Sequence, residues 1–218
     1  MQPIRSLQLA SVAALIASAS DLALLYSVNS QRPELALPQI GAAGLEIGGV
    51  LGAFVIPVYG LGYWAAARVL VPTSPGAARV VTLTGVGTGV VGGIIHALTA
   101  FHIHGGDTAF AAGGDPLSSM GAAGPLLPVL WGVAALLSLI ASIQFAWLVG
   151  RGHTPASPAL ALANPALGTI VIAALGLPSI MLSSFLTPAA PNLAHLVFFV
   201  ACSLSRFEGE PVRGVSPV

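Results

Sequence analysis

The chain has 218 residues, of which 56% are hydrophobic and 6% charged, and its mean hydropathy is +0.92. Soluble domains carry about 25% charged residues and disordered chains are poor in apolar ones, so both classes are excluded and a bilayer is the expected environment. A net charge of zero without any lysine argues against a nucleic-acid partner and excludes lysine Schiff-base chemistry, and the one cysteine, Cys202, excludes an internal disulfide.

The hydropathy pattern predicts an all-α, polytopic transmembrane bundle of about six spanning helices, because each apolar run is close to the ~20 residues that cross a bilayer. Proline residues 57 and 178 are the expected kink sites. Residues 1–206 are predicted to form one transmembrane domain, with a Gly-rich loop at 105–121 and a short tail at 207–218. The predicted spans are 7–27, 41–70, 79–104, 122–149, 165–187 and 191–206.

The N-terminus has features of a signal peptide, since Arg5 is followed by an apolar run and by the small residues of segment 17–20. The apolar run continues past Asp21, which favours a retained helix instead. If the helices alternate in direction, Arg32 falls on one side of the membrane and the other six arginines on the opposite side. The positive-inside rule then predicts a plasma-membrane (bacterial inner-membrane) protein with both termini in the cytoplasm. These six are Arg5, Arg68, Arg79, Arg151, Arg206 and Arg213.

Small residues recur at helical spacing in the predicted third span. Gly85, Gly89, Gly92 and His96 lie three or four residues apart and therefore share one face. In lipid, such faces allow two helix backbones to approach closely. We therefore expect His96 to face a neighbouring helix and not the lipid.

Four ionisable side chains fall inside predicted spans, where each costs about 2.5–3.5 kcal/mol on insertion scales. With the orientation above, all four lie in the extracytoplasmic half of the bilayer. A lone residue of this kind is most often structural, paired with a neighbouring helix. Four on separate helices at one depth, two of them carboxylates, instead indicate a shared site in which one group acts as an acid and another as a base. They are Asp21, Glu46, His96 and His195.

A metal site is an alternative interpretation of the segment that contains His96, His102, His104 and Asp107, because imidazoles and a carboxylate suit zinc or iron. On a helix, however, the spacing of six residues puts His96 and His102 on different faces. A His-x-His pair needs an extended backbone to converge on one ion. Neither a metal nor any other cofactor is therefore included in the predicted site.

The layout resembles a family of small bacterial membrane proteins that have an acidic residue in the first span, here Asp21, the pattern Gly-Leu-Glu-x-Gly-Gly at 44–49, and a late histidine in the third span. It also resembles the bacterial membrane-bound terpene cyclases of indole and diketopiperazine terpenoid pathways. The latter resemblance implies an all-helical enzyme that depends on membrane-embedded carboxylates, and Asp21 and Glu46 match in residue type and place. The chain lacks an aspartate-rich diphosphate-binding motif, which disfavours a cyclase that starts by ionisation.

The predicted function is therefore proton-initiated cyclisation of a lipid-soluble prenylated substrate, of isomerase or lyase type. Ser183 and Asn192 lie at the depth of the ionisable groups and are expected to contact the substrate. Phe54, Phe101 and Tyr63 are expected in the core or toward lipid. Any aromatic ring that lines the pocket can stabilise a carbocation, and Phe54 and Phe101 are the candidates.

Two other functions remain open. A proton-coupled carrier or channel would use the same ionisable groups as a relay, but the cytoplasmic half offers only Tyr59 and Gln144 as larger polar side chains. An accessory or structural membrane protein would use them to hold helices together. An enzyme requires an apolar cavity with a lateral opening, a carrier requires a path to both faces, and a scaffold requires neither.

Overall fold

The computed structural model describes residues 2–27, 42–113 and 125–205. Within these ranges the chain folds into seven α-helices, three short 3₁₀ segments and no strand. The prediction of an all-α helical bundle is therefore confirmed. The α-helices are α1 (Pro3–Ser27), α2 (Ala42–Val55), α3 (Tyr59–Ala67), α4 (Pro75–Ala111), α5 (Leu126–Gly150), α6 (Pro165–Gly176) and α7 (Ile180–Leu204).

Five helical runs in the described residues are long and apolar enough to cross a membrane. The second run is composite: α2 and α3 are joined by a 3₁₀ segment at Ile56–Val58, and a second 3₁₀ segment follows α3. The first of these segments coincides with the kink predicted at Pro57. The five runs are Pro3–Leu24, Glu46–Leu70, Pro75–Gly105, Leu126–Gly150 and Leu186–Leu204.

The last part of the chain differs from the two predicted spans 165–187 and 191–206. The break lies between α6 and α7, beside Pro178, and α7 continues as a helix through Pro188 and Pro191. Ser179 begins α7 as its N-cap, because its extended backbone lets the hydroxyl accept a hydrogen bond from the backbone N–H of residue 182. With 12 residues, α6 is about 18 Å long and does not by itself cross a hydrocarbon core of about 30 Å.

The fourth helix is also longer than the sequence predicted. It contains 37 residues, which corresponds to about 55 Å, and it ends at Ala111. The loop predicted at 105–121 is therefore helical in its first seven residues. At this length the helix exceeds a hydrocarbon core of about 30 Å by several turns.

The composite run Glu46–Leu70 packs antiparallel to α1 and α4 but parallel to α7, because Tyr59 and Tyr63 meet Asn192 and His195 in the same chain order. Gly62 lies against Ala10 near the start of α1, whereas Gly48 lies against Ser20 near its end. At the same end as the start of α1, the hydroxyl of Thr73, between α3 and α4, donates to the carbonyl of His153, which follows α5. We call this the arginine end of the bundle, because Arg5, Arg68, Arg79 and Arg151 lie there.

Large fully buried side chains fill the half of the bundle nearest the arginine end, among them Tyr63, Phe145, Phe198 and Phe199. Glycines provide the space for two of these rings. A Cβ on Gly85 would lie 2.0 Å from the ring of Tyr63, and a Cβ on Gly62 would lie 2.6 Å from that of Phe199. The predicted small-residue face of the third span is thus a packing face, as expected.

A substitution at Gly85 tests this close approach. We expect Gly85→Ala to lower the free energy of unfolding by about 1–3 kcal/mol, because the added methyl group overpacks the contact with Tyr63. The measurement is thermal unfolding of the purified protein in detergent. Gly132→Ala in α5 is the matched control, because a Cβ at that position would meet no neighbouring atom within 4 Å. Equal melting temperatures for the two variants would contradict the packing of α3 against α4.

Candidate functional site

Six polar side chains from four spans meet in the interior of the bundle, and we call them the polar cluster. The carboxylate of Asp21 is its centre and is 14% exposed. Its Oδ2 accepts a hydrogen bond of 2.7 Å from Nδ2 of Asn192, and its Oδ1 lies 3.4 Å from Nδ1 of His96. The cluster comprises Asp21, Tyr59, Tyr63, His96, Asn192 and His195.

Two tyrosines extend the cluster toward the arginine end. The hydroxyl of Tyr59 donates to Oδ1 of Asn192 at 2.6 Å, and the hydroxyl of Tyr63 bonds Nε2 of His195 at 2.9 Å. The rings of Tyr59 and His195 are stacked with centroids 4.8 Å apart. Tyr59 and Tyr63 are four residues apart on one helical run, and Asn192 and His195 are three apart on α7, so each pair shares one helix face. These two faces pack against each other.

The position of His96 depends on glycines of α2. Its Nε2 lies 2.9 Å from the carbonyl oxygen of Gly48, and a Cβ on Gly52 would lie 1.9 Å from its ring. A side chain at position 52 would therefore occupy the place of the imidazole. The Gly48/Gly52 pair, spaced for helix packing, provides both the space for His96 and an acceptor for it.

A cavity of about 690 Å³ adjoins the polar cluster, within the size range of small-molecule sites. Of the cluster, only Tyr63 does not line it. Three wall threonines, Thr88, Thr99 and Thr169, donate to carbonyls of their own helices, so the polar cluster supplies most of the polar character of the wall. The remaining lining residues are Leu24, Ile56, Gly92, Ile95, Ile103, Trp131, Ala134, Ala135, Ser138, Leu139, Ala166, Thr187, Pro188 and Pro191.

Of the four ionisable residues predicted to share a site, the structure brings together Asp21, His96 and His195 but not Glu46. The side chain of Glu46 is exposed on α2. It precedes Gly48, which faces α1, by two residues, and two residues correspond to about 200° around a helix. The expectation that both carboxylates lie in one pocket is therefore corrected, and Asp21 is the carboxylate of the polar cluster.

The predicted substrate contacts are also revised. Asn192 lines the cavity and bonds Asp21, as expected of a site residue. Phe54 and Phe101 are each 76% exposed on the outer surface and do not line the cavity, because their positions on α2 and α4 face away from the bundle. The hydroxyl of Ser183 pairs with that of Thr187 at 3.2 Å, and Ser183 is not a cavity residue.

The alternative metal site does not assemble along α4. Because α4 remains helical through this segment, His102 and His104 point about 200° apart. His104 is exposed, whereas the ring of His102 bonds the carbonyl of Leu98 in its own helix. The side chain of Asp107 lies outside the described residues.

The sequence interpretation missed both tyrosines as site residues. The sequence predicted Tyr63 in the core or toward lipid, and it indicated Tyr59 only as a polar side chain that a proton relay in a carrier could use. The spacing Tyr59/Tyr63 on one helix and Asn192/His195 on another was the available signal. It indicates two polar faces that can pair.

The chain belongs to a family of unknown function, DUF6796, whose family model matches residues 4–207. No match was found among curated proteins or among solved structures. The match therefore extends over all seven helices.

A double-mutant cycle tests the hydrogen bond between Tyr59 and Asn192. We expect Tyr59→Phe and Asn192→Ala each to destabilise the protein, and their effects to be non-additive by about 0.5–3 kcal/mol, because the two groups share one bond. Thermal unfolding in detergent measures the coupling. The control pairs Tyr59→Phe with Ser203→Ala, since Ser203 bonds only its own helix. Coupling of the same size in both cycles would contradict the assignment.

Proposed function

We propose that this membrane protein is an enzyme that cyclises a lipid-soluble prenylated substrate, with Asp21 as the proton donor. One observation carries the proposal. The carboxylate of Asp21 bonds Asn192 and lies beside His96, and these three residues, with Tyr59 and His195, form the polar wall of an otherwise largely apolar cavity inside a membrane-compatible bundle. Such a cavity with a few convergent polar groups is the typical arrangement of a small-molecule site.

The proposed reaction consumes no proton and no electron, so it requires no cofactor. Asp21 transfers a proton to a terminal alkene or epoxide of the substrate, and in the epoxide case one C–O bond opens. The π electrons of the next alkene form the new C–C bond, and the positive charge moves to the carbon left behind. Loss of a proton from the neighbouring carbon to the carboxylate gives the cyclic alkene and restores the donor, so the net reaction is an isomerisation. An apolar wall excludes the water that would otherwise capture the cation.

The lining of the cavity supports a substrate that enters from lipid. Trp131 and Leu139 on α5 both line the cavity and are 47% and 45% exposed, so α5 forms a boundary between the cavity and the outer surface. The rings of Trp131 and Tyr59 face the cavity and can stabilise a developing cation. They take the role that the sequence suggested for Phe54 and Phe101.

A proton-coupled carrier fits the same residues less well. Toward the arginine end, Phe145, Phe198 and Phe199 are almost fully buried, and the ring of Phe198 contacts the other two. This packing favours a site with access from one side over a path to both faces. A purely structural role for the polar cluster does not account for the cavity beside it.

The plasma membrane, with the arginine end in the cytoplasm, is the proposed location. The positive-inside rule supports it, because the four described arginines lie at that end. The guanidinium of Arg151 also lies 3.4 Å from the ring centre of Trp147, and that of Arg68 lies 5.6 Å from that of Trp64. Arginine–tryptophan pairs of this kind are typical of the interface between bilayer and water.

Cysteine labelling in intact cells tests this orientation. In a Cys202→Ala background, we expect Ala112→Cys to react with an impermeant maleimide from outside and Arg151→Cys to react only after the cells are opened. Both native residues are exposed and lie outside the candidate spans, so both thiols are accessible from water. The reverse pattern would place the arginine end outside and contradict the proposed orientation.

Replacement of the two membrane carboxylates tests the catalytic role. We expect Asp21→Asn to lower turnover by about 10²–10⁴-fold, because it removes the transferable proton and keeps the shape of the side chain. Glu46→Gln is the matched control and should retain activity, because Glu46 is exposed outside the cluster. The assay incubates membranes with a prenylated indole that carries a terminal epoxide and follows the cyclised product.

Two outcomes would count against the proposal. Near-normal turnover of Asp21→Asn would show that the carboxylate is structural. If the wild-type protein neither converts this substrate nor gains thermal stability from it, the prenylated substrate class is wrong, because a ligand that binds the folded state raises its stability.

A further inference from the structure

The protonation of His96 follows from its partners. Its Nε2 lies 2.9 Å from the carbonyl oxygen of Gly48, and a carbonyl can only accept. Nε2 therefore carries a proton. The ring cannot turn over easily, because it fills the space above Gly52. Nδ1 consequently faces Asp21 and bears a proton only if the imidazole is doubly protonated.

The carboxylate of Asp21 is oriented by Asn192. Oδ1 of Asn192 accepts from the hydroxyl of Tyr59, which directs Nδ2 as a donor toward Oδ2 of Asp21. This leaves Oδ1 of Asp21 opposite Nδ1 of His96 at 3.4 Å. Without a further proton, two lone pairs would face each other in the interior of the bundle.

A single proton resolves this conflict. Placed on either atom, it turns the pair into a donor and an acceptor and leaves Asp21 and His96 together without net charge. No proton would leave a negative charge and two protons a positive charge, and an uncompensated charge in an apolar interior is strongly destabilising. No arginine of the described residues joins the polar cluster to balance such a charge.

His195, the other histidine of the polar cluster, has no ring nitrogen that faces a carboxylate. Nδ1 of His195 lies 2.7 Å from the carbonyl oxygen of Pro191, and Nε2 lies 2.9 Å from the hydroxyl of Tyr63. Both ring nitrogens are therefore engaged in ordinary hydrogen bonds. The Asp21–His96 contact is the longest link of the cluster, and both of its residues line the cavity.

We propose that Asp21 and His96 share one proton between Oδ1 and Nδ1, and that this pair is the group that exchanges a proton with a molecule in the cavity. Asn192 and the carbonyl of Gly48 are then positioning groups that fix the orientation of the pair. The exchange with a ligand rests on the proposed function, whereas the shared proton rests on the hydrogen-bond geometry alone.

Spectroscopy of the purified protein in lipid nanodiscs, without any substrate, tests the shared proton. The difference in infrared absorption between wild type and Asp21→Asn reports whether the carboxyl is protonated. The ¹⁵N resonances of the histidines report which ring nitrogens are protonated. His96 is identified by its loss in His96→Gln and, independently, as the histidine whose signal shifts most in Asp21→Asn.

We expect Nε2 of His96 to be protonated, with one further proton either on the carboxyl of Asp21 or on Nδ1. An ionised carboxyl beside a bare Nδ1, or a protonated carboxyl beside an imidazolium, would overturn the proposal. Tyr63→Phe is the control: it removes the hydrogen bond to Nε2 of His195 and should leave the signals of the pair unchanged. A change in the pair as large as that caused by Asp21→Asn would show that the proton is not confined to Asp21 and His96.

The activity assay then separates the two proposals. One proton on the pair, together with a wild-type protein that converts no prenylated substrate, would retain the pair and reject the reaction. Two protons or none, together with an Asp21-dependent turnover, would retain the reaction and reject the shared proton.

Discussion

The carboxylate of Asp21 is the constraint on which the interior of this bundle depends. A charged or polar group inside a bilayer must find its partners within the protein, because no water is present to hydrate it. Asn192 and His96 meet this need, but each is itself polar and requires a further partner. Tyr59 bonds Asn192 and the carbonyl of Gly48 bonds His96, which provides these further partners. Burial of one acidic residue therefore requires hydrogen-bond partners on four spans.

Small residues make this arrangement sterically possible. In membrane proteins glycines are usually interpreted as sites of close helix–helix contact, and Gly48 does lie against α1. Gly52 and Gly85 have a different use, because the space above them holds the rings of His96 and Tyr63. Two bulky polar side chains are thereby accommodated between helices that would otherwise be pushed apart.

Hydropathy and periodicity were sufficient to predict the all-α bundle, because a spanning helix must be a long apolar run. They predicted a kink at Pro178, where α6 and α7 separate, but placed the boundary of the last two spans at 188–190. There α7 continues as a helix, because prolines that end helices in water are tolerated in membrane helices. Depth along the membrane normal selected Asp21, His96 and His195, which the structure brings together. Depth says nothing about rotation around the helix axis, which is why exposed Glu46 was grouped with them. The tyrosine contacts required the pairing of two helices, which one sequence does not specify.

The distribution of polar and aromatic residues along the bundle bears on the choice between transport and catalysis. Toward the arginine end, Tyr63 of the polar cluster packs against the buried rings of Phe198 and Phe199, and Phe198 in turn contacts Phe145. A carrier has to move its proton past these buried rings in every cycle. A reaction in which the proton is lent to the substrate and then returned needs no such path, because donor and acceptor are the same pair of groups. The buried aromatic rings, an obstacle for a carrier, do not hinder a reaction of this kind.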